Sequence, residues 1–117
     1  AEVENAINEH SEVIESAVVG YPHDIKGEGI YAFVIINPES ENDNIKNQII
    51  DVVRNVIGPI AKPDKIQIVS GLPKTRSGKI MRRILRKVAS NDLSNMGDTS
   101  TLLNPDIVEE IIQGAIN

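Results

Sequence analysis

Residues 30–37, Ile30-Tyr31-Ala32-Phe33-Val34-Ile35-Ile36-Asn37, decide the fold. The run is almost wholly apolar, rich in β-branched and aromatic residues, and closed by Pro38, which cannot donate to a sheet ladder. A strand of this composition must be covered on both faces, so it belongs at the centre of a sheet with helices packed above and below. Toward the N-terminus, residues 13–20 (VIESAVVG) form a second strand, which the Tyr21-Pro22 pair is expected to end, and residues 23–29 make a polar, glycine-containing turn. Before them, AEVENAI is helical, with Glu2 and Glu4 near the positive end of the dipole and Val3, Ala6, Ile7 and His10 at helical spacing.

Toward the C-terminus, residues 43–57 carry an apolar stripe of Ile45, Ile49, Ile50, Val52, Val53, Val56 and Ile57, stopped by Gly58-Pro59. Residues 65–69 alternate as a short strand. The loop SGLPKTRSGK then leads into a basic helix over about 80–89. Ile80, Ile84, Leu85 and Val88 face inward there, and Arg82, Arg83, Arg86 and Lys87 face outward. Asn104 as N-cap and Pro105 at the first helical position open a last short helix ending near Gln113. The expected fold is α+β: a small three-stranded sheet with helices packed on it, plus a short hairpin-like basic loop.

Composition narrows the chemistry. The 117 residues suit one domain, and 19 isoleucines must fill most of a core whose only aromatics are Tyr21, Tyr31 and Phe33. The absence of cysteine excludes a disulfide scaffold, a zinc ribbon and a thiol nucleophile. No apolar run approaches a membrane span and no signal peptide opens the chain, so a soluble, cytoplasmic domain is expected. Starting inside a helix without Met, the sequence reads as a piece of something longer.

The net charge of −5 hides a division: residues 65–91 hold eight basic and no acidic residues, whereas the other ninety hold four basic and seventeen acidic. Such a window faces an anion, or lies on the chain's own acidic surface, or is a solvated basic face. Nucleic acid fits poorly, because the pI is near 5.0 and the window contains no aromatic for stacking. Lys79, beside Gly78 and ahead of a helix, is placed as a phosphate or carboxylate receptor. Gly27-Glu28-Gly29-Ile30-Tyr31-Ala32 matches a loosened dinucleotide pattern but opens a strand instead of a helix, which favours a plain turn. Ser77-Gly78-Lys79 is no P-loop, since Pro73 stands where its first glycine belongs and Ile80 follows the lysine. Of the two histidines, His10 and His23, neither has a side-chain partner at metal spacing; His10 reads as a helix C-terminal residue, with a cation held by carbonyls as the alternative.

Residues 72–89, LPKTRSGKIMRRILRKVA, closely resemble the closing signature of AMP-forming acyl-CoA synthetases, the adenylate-forming superfamily. Residues 9–37 agree, and residues 97–112 (GDTSTLLNPDIVEEII) resemble the tail of its acetyl-CoA synthetase branch. The resemblance spans residues 1–117 as a single mobile C-terminal cap domain, with 91–117 as a subfamily-type tail bearing a short helix. It implies a ligase that joins acetate, ATP and CoA, with Mg2+, giving acetyl-CoA, AMP and pyrophosphate, and the large N-terminal domain as partner. Lys79 is then the adenylation lysine and a target of a protein acetyltransferase and deacetylase. Arg54 matches a position that contacts the CoA 3′-phosphate. His10, with main-chain oxygens of Asn8 and Val13, matches a cation site. A related propionyl- or acyl-CoA synthetase domain, a stand-alone anion- or nucleic-acid-binding module, and a purely regulatory acetylation surface are the alternatives.

Overall fold

A computed structural model describes residues 2–23, 25, 27–40, 44–92 and 102–116. Its elements follow the expected order: α1 (Glu2–Ile7), β1 (Val13–His23), β2 (Gly27–Ile36), α2 (Ile45–Val56), β3 (Lys65–Ile68), α3 (Arg82–Ala89) and α4 (Asp106–Gln113). Asp43, expected to begin the second helix, and residues 93–101 of the expected tail lie outside the described residues.

The sheet order is β1-β2-β3, antiparallel between β1 and β2 and parallel between β2 and β3. The apolar run of β2 is therefore central, and α2 lies in the crossover that a parallel pair requires. Alternation along β2 divides the interior. Tyr31 and Phe33 join Ala17, Val19, Leu85, Val88 and Ile111 on one face, against α3 and α4. Ala32, Val34 and Ile36 join Ile7, Ile45, Ile49, Val53 and Ile66 on the other, against α1 and α2. These β2 residues and their helix partners are buried, which is what a strand apolar at successive positions demands.

Three boundaries differ most from the sequence expectation: β2 begins at Gly27, because pairing with the extended end of β1 draws the last part of the expected 23–29 turn into the sheet; the other two are at β1 and α3. The first strand continues through Tyr21-Pro22 to His23, because β1 is an edge strand where a missing N–H is tolerated; Pro22 sits opposite Glu28. The basic helix begins at Arg82, not Ile80, so Lys79 precedes it by three residues and lies outside its first turn.

A polar relay crosses the α3–α4 side of the core. The Tyr31 hydroxyl donates to Gln67 Oε1 (2.6 Å) and accepts from the Ile116 N–H (2.9 Å), while Gln67 Nε2 donates to the Ile111 carbonyl (3.0 Å). Burial pushes the Tyr31 phenol above its ordinary pKa, despite the opposing hydrogen bond from Ile116.

Candidate functional site

Residues 72–81 form a turn held from several sides. Pro73 is buried beside Leu72, the Met81 N–H donates to the Pro73 carbonyl (2.8 Å), and the Thr75 N–H donates to the Lys79 carbonyl (2.8 Å). Thr75 Oγ1 accepts from the Lys79 N–H (3.2 Å) and lies 2.9 Å from Ser77 Oγ. Gly78 takes φ +88°, a conformation that side chains resist, and its N–H closes on the Thr75 carbonyl at 2.9 Å. Lys74–Ile80 and Thr75–Leu102 are isolated bridges, and no described strand forms on either arm. The hairpin-like loop is thus a bridged turn, because its buried proline and the Gly78 reversal leave too few residues for a ladder.

That turn presents Lys79 at the rim of an open groove of about 620 Å³, also lined by Glu15, Ile80, Met81, Arg82, Arg83 and Arg86. The surrounding cations are unequal. Lys74 Nζ lies 2.8 Å from Glu15 Oε1, and Lys87 Nζ lies 3.1 Å from Asp92 Oδ2. Arg82, expected to face solvent, instead donates to both carboxylate oxygens of Glu4, at 2.7 and 3.0 Å, and to the Val18 carbonyl at 3.3 Å. Part of the basic window is thus neutralised by the chain's own acids. Lys79, Arg76 and Arg86 are exposed and form no ion pair among the described residues.

The Arg82–Glu4 fork ties α1 to the start of α3 across β1, with the Val18 N–H also donating to Glu4 Oε1 at 2.8 Å. Burial raises the Glu4 pKa, but the bonds from Arg82 and Val18 and the guanidinium charge outweigh it, leaving the carboxyl below its ordinary value. A depressed carboxylate stabilises the fold above its unfolded-state pKa, and that stability is lost as pH falls through the folded one. Glu4→Ala is expected to cost about 2 kcal/mol at pH 7. The gap should shrink at pH values below the carboxylate range. Urea unfolding at both pH values checks this, and an undiminished gap in acid would contradict the ion-pair origin.

Arg54 is exposed in the last turn of α2, where a cation also suits the helix dipole. It lies on an element packed against the opposite sheet face from α3, so the fold does not bring Arg54 and the Lys79 turn together on one face. Asn8 and His10 lie in the turn between α1 and β1, and Val13 is the first residue of β1. The Val13 N–H donates to the His10 carbonyl (3.0 Å), and the His10 N–H to the Ile7 carbonyl (3.0 Å), the helix-end contact expected of it. The His10 ring is already occupied: Nδ1 accepts from the Glu12 N–H (3.1 Å) and Nε2 lies 3.4 Å from Gln48 Oε1. Among the described residues no three His, Cys, Asp or Glu side chains gather at metal distance, and no helix is long and apolar enough to cross a membrane.

Residues 2–79 match the family described as AMP-binding enzyme C-terminal domain. The chain belongs to that family. As an AMP-binding enzyme C-terminal domain, it is 59% identical over 118 residues to acetyl-coenzyme A synthetase of Alkalilimnicola ehrlichii, covering 100% of this chain and 18% of that protein. It is 60% identical over 113 residues to the same enzyme of Novosphingobium aromaticivorans, covering 96% and 17% respectively. The domain is similar in structure to a Brucella canis acyl-CoA synthetase, with TM-score 0.70 and 40% identity over 74% of this chain and 16% of that one. The domain therefore spans less than a fifth of the length of these curated relatives. Among the described residues, the three-stranded mixed sheet with four α-helices agrees with the expected α+β class.

Sequence reasoning missed the Glu4–Arg82 fork and the side chain of Asn104. The first had no local signal, since the partners are 78 positions apart. The Asn104 carbonyl does accept from the Ile107 N–H (3.1 Å), but no side chain caps α4, and its amide turns instead to the loop, onto Leu72 and Lys74. The expectation of Asn104 as an N-cap is corrected accordingly.

Proposed function

We propose that the chain is the mobile cap of an AMP-forming acetate–CoA ligase and that Lys79 is its adenylation lysine. The observation that carries this reading is the contrast among the cations: Lys74 and Arg82 are tied to glutamates, while Lys79 stands exposed, with no ion pair among the described residues, on a turn fixed at its base. In the first half-reaction an acetate oxygen attacks the α-phosphorus of ATP and pyrophosphate leaves, giving acetyl-adenylate. Two anions must meet for this, and an ammonium delivered between them offsets their repulsion and the charge of the transition state. In the second, the CoA thiol attacks the acyl carbon and AMP leaves.

Acetate and ATP would bind chiefly on the large N-terminal domain, so this chain alone would not turn over. Arg54, on the opposite side of the sheet, supplies a cation for the CoA 3′-phosphate when the cap rotates to its second orientation. A propionyl- or other acyl-CoA synthetase would use the same parts. Mg2+ would arrive with ATP and neutralise phosphate charge. Acetylation of Lys79 by a protein acetyltransferase would remove the ammonium, and a deacetylase would restore it. A cytoplasmic location suits these substrates.

A second cation could be held near His10. The main-chain oxygens of Asn8 and Val13 suit a hard cation, and the imidazole would join only by releasing Gln48. A rise in melting temperature with Mg2+, lost in His10→Ala, is the expected result; no shift at millimolar metal rejects the site.

The central test separates the half-reactions in a full-length synthetase carrying this domain. Lys79→Ala should lose acetate-dependent exchange of pyrophosphate into ATP while still passing acetyl groups from preformed acetyl-adenylate to CoA. Arg54→Ala should do the reverse, raising KM for CoA and sparing exchange. Retained exchange in Lys79→Ala would sink the proposal.

A further inference from the structure

We propose that Asn104 is a positioning residue for Lys79, acting from the C-terminal tail; the inference rests on Lys79 being the adenylation lysine. Asn104 Nδ2 donates to the Leu72 carbonyl at 2.9 Å, and its Oδ1 accepts from the Lys74 N–H at 3.3 Å. Beside it the Leu103 N–H donates to the Lys74 carbonyl at 2.9 Å, and Leu102 bridges to Thr75. Residues 73–75 are thus held between two neighbours. On one side is the tail; on the other, Thr75 and Pro73 bond to Lys79 and Met81. Thr75 belongs to both sets, so displacement of the tail-side edge is passed directly to the Lys79 carbonyl.

The commonest use of an asparagine just before a helix is to cap it, accepting from the backbone of the first turn. Here α4 has no side-chain cap, and the amide directs one N–H and its oxygen to the loop root. Leu102 is buried with Ile84 and Val108, which anchors the brace to α3 and α4 and keeps it from following the loop. Lys79 itself touches no tail side chain in any of these contacts, so Asn104 acts on it through the backbone of residues 72–75.

The experiment uses a full-length synthetase carrying this domain, with Asn104→Ala, Asn104→Asp and Lys79→Ala compared side by side. Asn104→Ala should lower kcat for acetate-dependent pyrophosphate exchange by roughly 10- to 100-fold, the scale on which a misplaced catalytic group acts. KM for ATP and the transfer of acetyl from acetyl-adenylate to CoA should stay within about two-fold, because uniform binding and the other face of the cap are untouched. Asn104→Asp keeps the acceptor for Lys74 but sets a charge against the Leu72 carbonyl; it should show the same split at comparable size, and it decides the matter if the alanine variant does not fold. Exchange near wild type in the Asn104 variants while Lys79→Ala loses it overturns the brace and leaves the lysine's role standing. Equal loss of both half-reactions, with a lowered melting temperature, also overturns it, since the residue is then merely structural. Retained exchange in Lys79→Ala removes the role of the lysine and the brace with it.

Discussion

Lys79→Ala in the full-length enzyme is expected to reduce acetate-dependent pyrophosphate exchange about a thousandfold, the upper end of what removal of one preorganised donor costs. That factor corresponds to about 4 kcal/mol of transition-state stabilisation. The ammonium is expected to matter so much because its site is prepared in advance. The turn is closed by the bonds of Thr75 to Gly78 and Lys79, and the competing carboxylates Glu15 and Glu4 are already engaged by Lys74 and Arg82. Among the described residues no acid has to be displaced before Lys79 meets substrate. Lys79→Arg should recover only part of the rate, since a planar guanidinium does not reproduce a compact point charge. Lys79→Gln, neutral like acetyl-lysine, should match alanine. Thioester formation from acetyl-adenylate should survive in all three, and a parallel collapse of that half-reaction would show that Lys79 serves the fold or the whole cycle, not adenylation.

Gly29→Val is expected to cost about 3 kcal/mol of stability, and Gly29→Ala about 2 kcal/mol, as overpacking of a closed contact does. A Cβ at Gly29 would lie 2.5 Å from two ring atoms of Tyr21, its cross-strand partner, and 2.8 Å from the hydroxyl oxygen. The ring is held on several sides. It is buried, stands edge-on to Tyr31 at 6.1 Å, and carries the Lys65 ammonium 4.6 Å above its face. Gly20 is the internal control: there the atoms nearest a Cβ belong to the exposed, flexible Glu28 side chain, which swings aside, so Gly20→Ala should cost well under 1 kcal/mol. Denaturant unfolding of the single variants and of Tyr21→Ser/Gly29→Ala measures the coupling. Additive losses in the double variant would show that the ring is not the obstacle.

This contact also explains why the glycine-rich stretch at 27–29 resembled a nucleotide motif. The spacing was legible, but the reason for Gly29 was an aromatic ring eight positions upstream, which only strand pairing brings opposite. The larger architecture was open to reading because its signals are local: the apolar run of β2, the stripe of α2 and the Gly58-Pro59 stop each act within a few residues. The failures share the opposite origin. Pro22 reads as a terminator unless β1 is known to be an edge strand, and the start of α3 depends on the Met81–Pro73 bond that closes the loop first. For the site, Lys79 was visible as a cation beside a glycine in an acid-free window. Its isolation was not, because it depends on Glu4 and Glu15 reaching Arg82 and Lys74 from 78 and 59 positions away. Gln67 and Ser16 were overlooked hints, polar residues at buried strand positions that had to have partners inside.

Those partners have a consequence for exchange of parts between relatives. The phenol of Tyr31 and the amide of Gln67 are completed by the backbone of Ile116 and Ile111, so the C-terminal helix and the sheet interior form one transplantable unit. Cutting the chain before α4 would leave the Tyr31–Gln67 bond in place but take away the acceptor of Gln67 Nε2 and the donor to the Tyr31 oxygen, at a cost of roughly 1–3 kcal/mol for a polar group left unsatisfied. A graft of this tail onto a tail-less domain should therefore carry a tyrosine and a glutamine with it, and a lineage that sheds the tail should replace both with apolar residues in the same step.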